Sequence, residues 1–444
     1  MPDLGDLCRA AVDAAEEGEA VEAYAEESRR TEASALRGEV EGLEFAESRG
    51  VGVRVVRDGR LGYAWAADPD ADEVRAIVGR ARENATLAGA DEHQVLPDPA
   101  PWEPIPALFR EASAEVPPEA KTKLALGLEA RAVSRDPRVT KVDEAKVGDA
   151  VSRVAIASTA GVEAEYARTD AWCLAVALAV DGEETQTGFS FRITRGLDEL
   201  EWEEVADEAV ERGARMLGAT KPATARVPVV LDPFAATSFL GVLAGALSAD
   251  AVQKGRSLFA NLVGEQVGSE LVMLVDDGTN VEGPGAAPFD DEGVPSGRTE
   301  LFTKGVLNGF LHSTYTAHKG GTTSTGNGKR GYRSPPGVGT SNFYLDAGTS
   351  SRDDLLRRAE GGVLIQDVSG VHSGANPISG EFSVGATGLR ISGGELGEPL
   401  REMTIASTLP EMLTAVSGVG DDLRFFSSVG TPSVLIGEMT LAGV

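Results

Sequence analysis

Apolar and polar residues recur along this chain in blocks whose period changes from one stretch to the next. The first 20 residues carry an amphipathic, helix-like pattern. Gly50–Ala66 (GVGVRVVRDGRLGYAWA) alternates instead, and predicts two strands joined at Arg57-Asp58-Gly59. Asp-Gly supplies the positive φ angles that a tight hairpin turn requires. In Asp72–Leu87, Val74, Ile77, Val78 and Ala81 recur at helical spacing, and Gly89 follows as a stop. Asp91–Pro118 holds seven prolines and reads as an extended connector rather than a packed element. A second helix is expected from near Pro118 to Asp136-Pro137. Strand-like runs follow at Val139–Val147, Ser152–Thr159, Glu163–Arg168 and Trp172–Val180. Trp202–Leu217 is amphipathic again and is closed by Gly218.

Gly218–Ala225 has the composition of a linker, which places a domain boundary near residue 222 and divides the chain into 1–222 and 223–444. Beyond it Gly, Ser and Thr dominate, strands are short, and helical patterns are confined to Pro233–Leu247 and Asp353–Glu360. The expected class is α+β: an N-terminal α/β-sandwich-like domain followed by a mostly-β, loop-rich C-terminal domain. No short-period repeat suggests a solenoid or propeller.

Charge narrows the function. Forty-one Lys and Arg against 70 Asp and Glu give a formal charge of 41 − 70 = −29. Phosphate affinity rests on clustered Lys and Arg, so nucleic acid and anionic membrane surfaces are poor partners. The longest nearly apolar run, Ala171–Val180, is about half of what a bilayer span needs. Met1–Ala15 is acidic and lacks the plan of a secretory signal, so the cytoplasm is the expected compartment. Two Cys (Cys8, Cys173) and four His (His93, His312, His318, His372) make neither a disulfide framework nor a zinc ribbon.

The Gly-rich stretch Gly320–Gly331 is no P-loop, because Thr323 stands at the first Gly position and Arg330 replaces the Mg²⁺-binding hydroxyl. Asp276-Asp277 and Asp290-Asp291-Glu292 read as turn formers. His312 and His318 are spaced off any common helical face. Asp232–Leu247 has an N-cap Asp, Pro233 at the first helical position and no titratable side chain in its body; Gly241, Ala244 and Gly245 leave a thin face.

Blocks of the C-terminal half together resemble the TldD/PmbA family of bacterial peptidase subunits. They are Lys254–Ser257, Val275–Gly278, Phe289–Pro295, Gly305–Phe310, Ser324–Gly328, Asn376–Phe382, Glu402–Ala406, Val419–Asp422, Thr431–Ile436 and Met439–Gly443. Ser48–Val53 adds an N-terminal block. The resemblance implies a fold shared by two subunit types. The TldD-like type carries His-Glu-x-x-x-His on a helix, with a further Cys ligand, to hold Zn or a similar divalent metal beside a general-base Glu. Counted back from Lys254-Gly255, that motif falls on Leu240–Gly245, with Leu240 and Gly245 at the His positions and Gly241 at the Glu position. The chain is therefore similar to the TldE (PmbA) type, which implies no metal or catalytic residue of its own, a heterodimer with a TldD-like metallopeptidase partner, and unfolded peptides as substrate. Tyr315, Asn327, Arg330 and Asn376 are the candidate peptide-backbone contacts, in loops Gly320–Ser334 and Ser369–Ser383 or close by. Two other expectations are a binding or regulatory homodimer without hydrolytic activity, and half of a pair cleaving an amide in peptide natural-product biosynthesis.

Overall fold

The computed structural model describes residues 3–443. Its N-terminal half is a two-layer assembly built on one antiparallel sheet. β1 (Ala20–Leu36), β2 (Glu39–Arg57), β3 (Arg60–Ala67), β4 (Val139–Ser158), β5 (Glu163–Asp181) and β6 (Glu184–Thr194) pair in the order β3-β2-β1-β4-β5-β6. The expected hairpin forms at Asp58-Gly59, whose φ angles are 51° and 70°. Two expectations are corrected here. The helix at the start, α1, covers only Leu4–Val12, and a strand already begins at Ala20. The short strand-like runs after residue 138 fuse into two strands of 20 and 19 residues. The residues between the expected runs stay on one regular ladder, in which Gly148 pairs with Trp172, Asp149 with Ala171 and Val151 with Thr169.

Period-2 alternation sorts the two faces of the sheet. Val21, Ala23, Ala25, Ala33 and Ala35 of β1 face helices α1, α2 (Ala71–Leu87), α3 (Pro118–Arg135) and α4 (Trp202–Ala214). Glu22 and Tyr24, of opposite parity, face the C-terminal half. The Pro-rich segment, expected to be an extended connector rather than a packed element, is extended but packs as a strap. Trp102 meets Phe289 edge-on at 5.2 Å, and Leu108 is buried.

The C-terminal half is built on a closed ring of strands. β7 (Ala225–Leu231), β8 (Val363–Ser369), β9 (Glu381–Ser392), β10 (Glu395–Thr408) and β11 (Val434–Ala442) pair in turn, and β10 with β11 completes the circuit. The end of β7, Val229–Leu231, is a continuous apolar run because both its faces are covered: Val229 and Leu231 belong to the main core, and Val230 packs with Leu355 and Leu356 of the helix Arg352–Arg358. A second sheet has Leu274–Asp277 between Arg298–Thr303 and Phe343–Leu345. The α+β class, with a β-rich and loop-rich second half, is what the sequence predicts.

The two halves meet on the even-numbered face of β1. Glu22, Arg54 and Glu292 are buried, and the Arg330 side chain has 0% exposure. Arg54 donates to Glu22 at 2.7 Å and to Glu292 at 3.0 Å, and Arg330 donates to Glu22 while its guanidinium lies over the Tyr24 ring. Gly50 and Gly52 of β2 make the approach possible. A Cβ at Gly52 would lie 2.3 Å from the Tyr332 carbonyl oxygen, and one at Gly50 would lie 2.3 Å from the Tyr332 ring. Removing one member of such a buried pair strands the other's charge. Arg330→Met should therefore cost about 3–5 kcal/mol, read as a lower denaturant midpoint. A change below about 0.5 kcal/mol, the range of ordinary surface substitutions, would show that the seam is not a structural joint.

Candidate functional site

The helix singled out by sequence is α5 (Pro233–Ala246). Asp232 caps it, its carboxylate accepting from the Phe234 amide at 3.2 Å, and Pro233 takes the first helical position. Arg212 of α4 donates to the same carboxylate at 3.0 Å, which anchors the helix start to the N-terminal half. Ala236, Phe239, Leu240 and Leu243 enter the main core. Gly241 and Gly245 lie on the opposite, exposed side. A Cβ at Gly241 would meet nothing within 4 Å, and one at Gly245 would come no closer than 3.9 Å to Pro377. The turn Asn376–Gly380 thus sits beside an open, side-chain-free strip of α5.

A metal fits poorly here. Zinc takes Cys, His or carboxylate donors, whereas Leu240 presents a buried alkyl group and Gly241 and Gly245 present none. Among the described residues no three His, Cys, Asp or Glu side chains converge to hold an ion. Burial pushes both thiols, Cys8 and Cys173, up to about 12, which leaves them protonated and unreactive. Burial also lowers the His312 pKa, and its Nδ1 has no hydrogen-bond partner among the described residues. His93 and His318 approach each other, Nδ1 to Nδ1, at 3.2 Å on the surface.

The four candidate peptide contacts lie apart in the fold. Tyr315 donates its hydroxyl to Asp91 at 2.9 Å, pinning the strap to the helix Thr314–Gly320. Asn327 is buried; its Nδ2 donates to Asp276 at 2.7 Å and to Gly339 O at 3.0 Å, and its Oδ1 accepts from Thr325. Arg330 belongs to the seam. Asn376 is exposed, its Oδ1 accepting from the Ile378 amide at 2.8 Å.

The acidic pairs do form turns, as expected. Asp277 accepts from Thr279 N, and Asp290 from Glu292 N and Val294 N. Sequence reasoning missed their second role. Glu292 is also the seam's acceptor and takes the Thr314 amide at 2.8 Å, and Asp276 holds Asn327 and Ser341. Burial, and then the neighbouring Glu292 charge, push Asp290 up to about 8. Burial also pushes Glu22 up, but Arg330 and Arg54 together reverse this and hold it below its usual range. The seam therefore balances two guanidiniums against the carboxylates of Glu22 and Glu292.

Comparison with known proteins matches the same architecture. Models for PmbA/TldA metallopeptidase domain 1, central domain and C-terminal domain match residues 21–85, 111–217 and 224–443. The chain belongs to this metallopeptidase family. Metalloprotease PmbA of Escherichia coli O157:H7 is 26% identical over 413 residues, 91% of this chain and 88% of that protein. A metalloprotease TldD homolog of Buchnera aphidicola is 25% identical over 433 residues, 90% of this chain and 87% of its own length. The crystal structure of TldE from Thermococcus kodakarensis superposes with a TM-score of 0.90 at 25% identity, covering 99% of each chain. The similarity to TldE spans both halves, so the seam and the open strip of α5 lie within the shared fold.

The open strip also yields a stability test. Gly in a helix interior costs about 0.5–1 kcal/mol relative to Ala. Because space is free at Gly241, Gly241→Ala should raise the unfolding free energy of the isolated chain by about that amount. A loss of stability on chemical denaturation would mean that the strip is packed in solution.

Proposed function

We propose that this chain is the TldE/PmbA-type, non-hydrolytic half of a cytoplasmic heterodimeric metallopeptidase that matures or degrades unfolded peptides. A TldD-type partner supplies the metal and the general base. The observation that carries this reading is the chemistry of α5: a core Leu and two bare Gly stand at the three positions where the resemblance puts the partner's donors. Curated relatives of both names, PmbA and TldD, align over most of this chain, in keeping with a pair built on one fold.

In this division of labour the chain's residues shape and hold; they do not transfer protons. The strip at Gly241 and Gly245 offers a surface on which a partner's backbone can approach closely. Asn376, whose Nδ2 has no hydrogen bond among the described residues, can donate to a substrate carbonyl beside that strip. A metal held by the partner would polarise the scissile carbonyl and lower the pKa of bound water.

Co-expression with a family member that carries His-Glu-x-x-x-His tests the reading. A stable 1:1 complex is expected, which cleaves an unstructured peptide and is silenced by a chelator, while this chain alone leaves the peptide intact with or without zinc. Cleavage by the chain alone would overturn the proposal. A homodimer that ignores every such partner would favour the binding-protein reading instead.

A further inference from the structure

Only four histidines occur in the chain, and two of them meet. His93 comes from the strap of the N-terminal half, and His318 from the last turn of the helix Thr314–Gly320 in the C-terminal half. Their Nδ1 atoms are 3.2 Å apart, with the ring planes inclined by 61° and the centroids at 5.3 Å. Both backbones are fixed locally. The Asp91 carboxylate accepts the His93 amide at 2.9 Å, and the Asp91 amide donates to Gly59 O at 2.7 Å. The helix that carries His318 has a capping box of Ser313 and Thr316 at its start and ends on Gly321, whose φ is 65°.

Two neutral imidazoles do not face each other through bare lone pairs. Either one Nδ1 carries a hydrogen that the other accepts, or both give their lone pairs to one shared cation. The separation fits the second arrangement. Two nitrogens that are each about 2.0–2.1 Å from a zinc ion, at the tetrahedral angle, lie about 3.3 Å from each other. The neighbouring carboxylate is already engaged: one Asp91 oxygen accepts the His93 amide and the other the Tyr315 hydroxyl, both at 2.9 Å. No third His, Cys, Asp or Glu among the described residues joins the pair, so water completes the shell. His93 is half-buried and His318 exposed, which leaves room for those waters.

We propose that His93 and His318 form a two-imidazole site for a divalent transition-metal ion of the zinc class, which ties the strap to the C-terminal half. Imidazole suits zinc, nickel and copper, whereas magnesium and calcium take oxygen donors. A chain of charge −29 draws cations of every kind, so the selectivity comes from the two rings. Binding releases the proton that the rings otherwise share. The site lies in series with the seam. Glu292 holds the first turn of the helix through the Thr314 amide at 2.8 Å, and the ion holds its last turn through His318. Asp91 and Tyr315 already link the strap to that helix, so the ion reinforces an existing contact. The site is independent of the peptidase reading, because it stabilises the chain whether or not a partner binds.

The test uses the full chain, prepared without a histidine tag or a partner, and zinc chloride in competition with a chromophoric chelator. One zinc per chain is expected, with copper held more tightly than zinc and magnesium not held. Zinc should raise the denaturant midpoint, increasingly with its concentration, and slow hydrogen exchange at residues 91–94 and 314–321. His93→Asn and His318→Asn should each weaken zinc binding about tenfold or more, the loss of one donor of two, and abolish the rise in midpoint. Both residues are at the surface, so the metal-free denaturation curve should stay essentially unchanged. His372→Asn, which removes an exposed histidine elsewhere, should leave zinc binding intact. With copper, electron paramagnetic resonance should show two imidazole nitrogens in the native chain and one in either variant. Zinc binding that survives loss of His93 or His318, binding that depends on His372, or a pair that shares a proton but takes no zinc would each overturn the proposal.

Discussion

Two arginines and two glutamates, brought from β1, β2 and two C-terminal loops, meet almost without solvent where the sheet lies on the C-terminal half. Buried charges are tolerated only when paired and hydrogen-bonded. This requirement locks the relative placement of the two halves more tightly than apolar contact could, because sliding by one residue would unpair several charges at once. Glu292 extends the constraint by holding the first turn of the helix Thr314–Gly320 through the Thr314 amide. Gly50 and Gly52 let the partner surface reach the sheet, so bare backbone and buried charge act together in one joint.

Docking at β1 and β2 has a consequence at the far side of the sheet. With the C-terminal half anchored there, β6 reaches the other margin of the interface with no strand paired to its outer edge among the described residues, and the segments opposite it enclose a cleft. α5 is positioned by the same packing. Its start is tied to α4 through Asp232 and Arg212, its apolar side enters the core, and its glycine strip is left open. The chain thus carries two uncovered features, the glycine strip of α5 and the outer edge of β6.

Much of this was legible in the residues. The spacing of Val74, Ile77, Val78 and Ala81 marks α2, and Asp58-Gly59 marks the β2–β3 turn, because those signals are local and need no tertiary help. The absence of His, Cys and carboxylate side chains on α5 was equally plain, since Leu240, Gly241 and Gly245 lack coordinating atoms in any fold. The long strands were harder to read. Where β4 crosses from its helix-covered half to its C-terminal contact, Gly148 and Asp149 look like a break between two runs, although the backbone ladder runs through them. Asn327 and Arg330 were misleading in another way. A Gly-rich polar stretch reads as a surface loop, and nothing local says that its Arg will meet Glu22 from the opposite end of the chain.

The sequence by itself determined the class, most of the helices, the family resemblance and the absence of donor side chains on α5. All of these depend on residue identity and short-range spacing. Only the tertiary structure decided which charges are buried, which strand edge is left free and where the cleft opens. Burial and pairing are properties of surfaces that meet across hundreds of residues, and no periodicity within a segment records what will be laid against it.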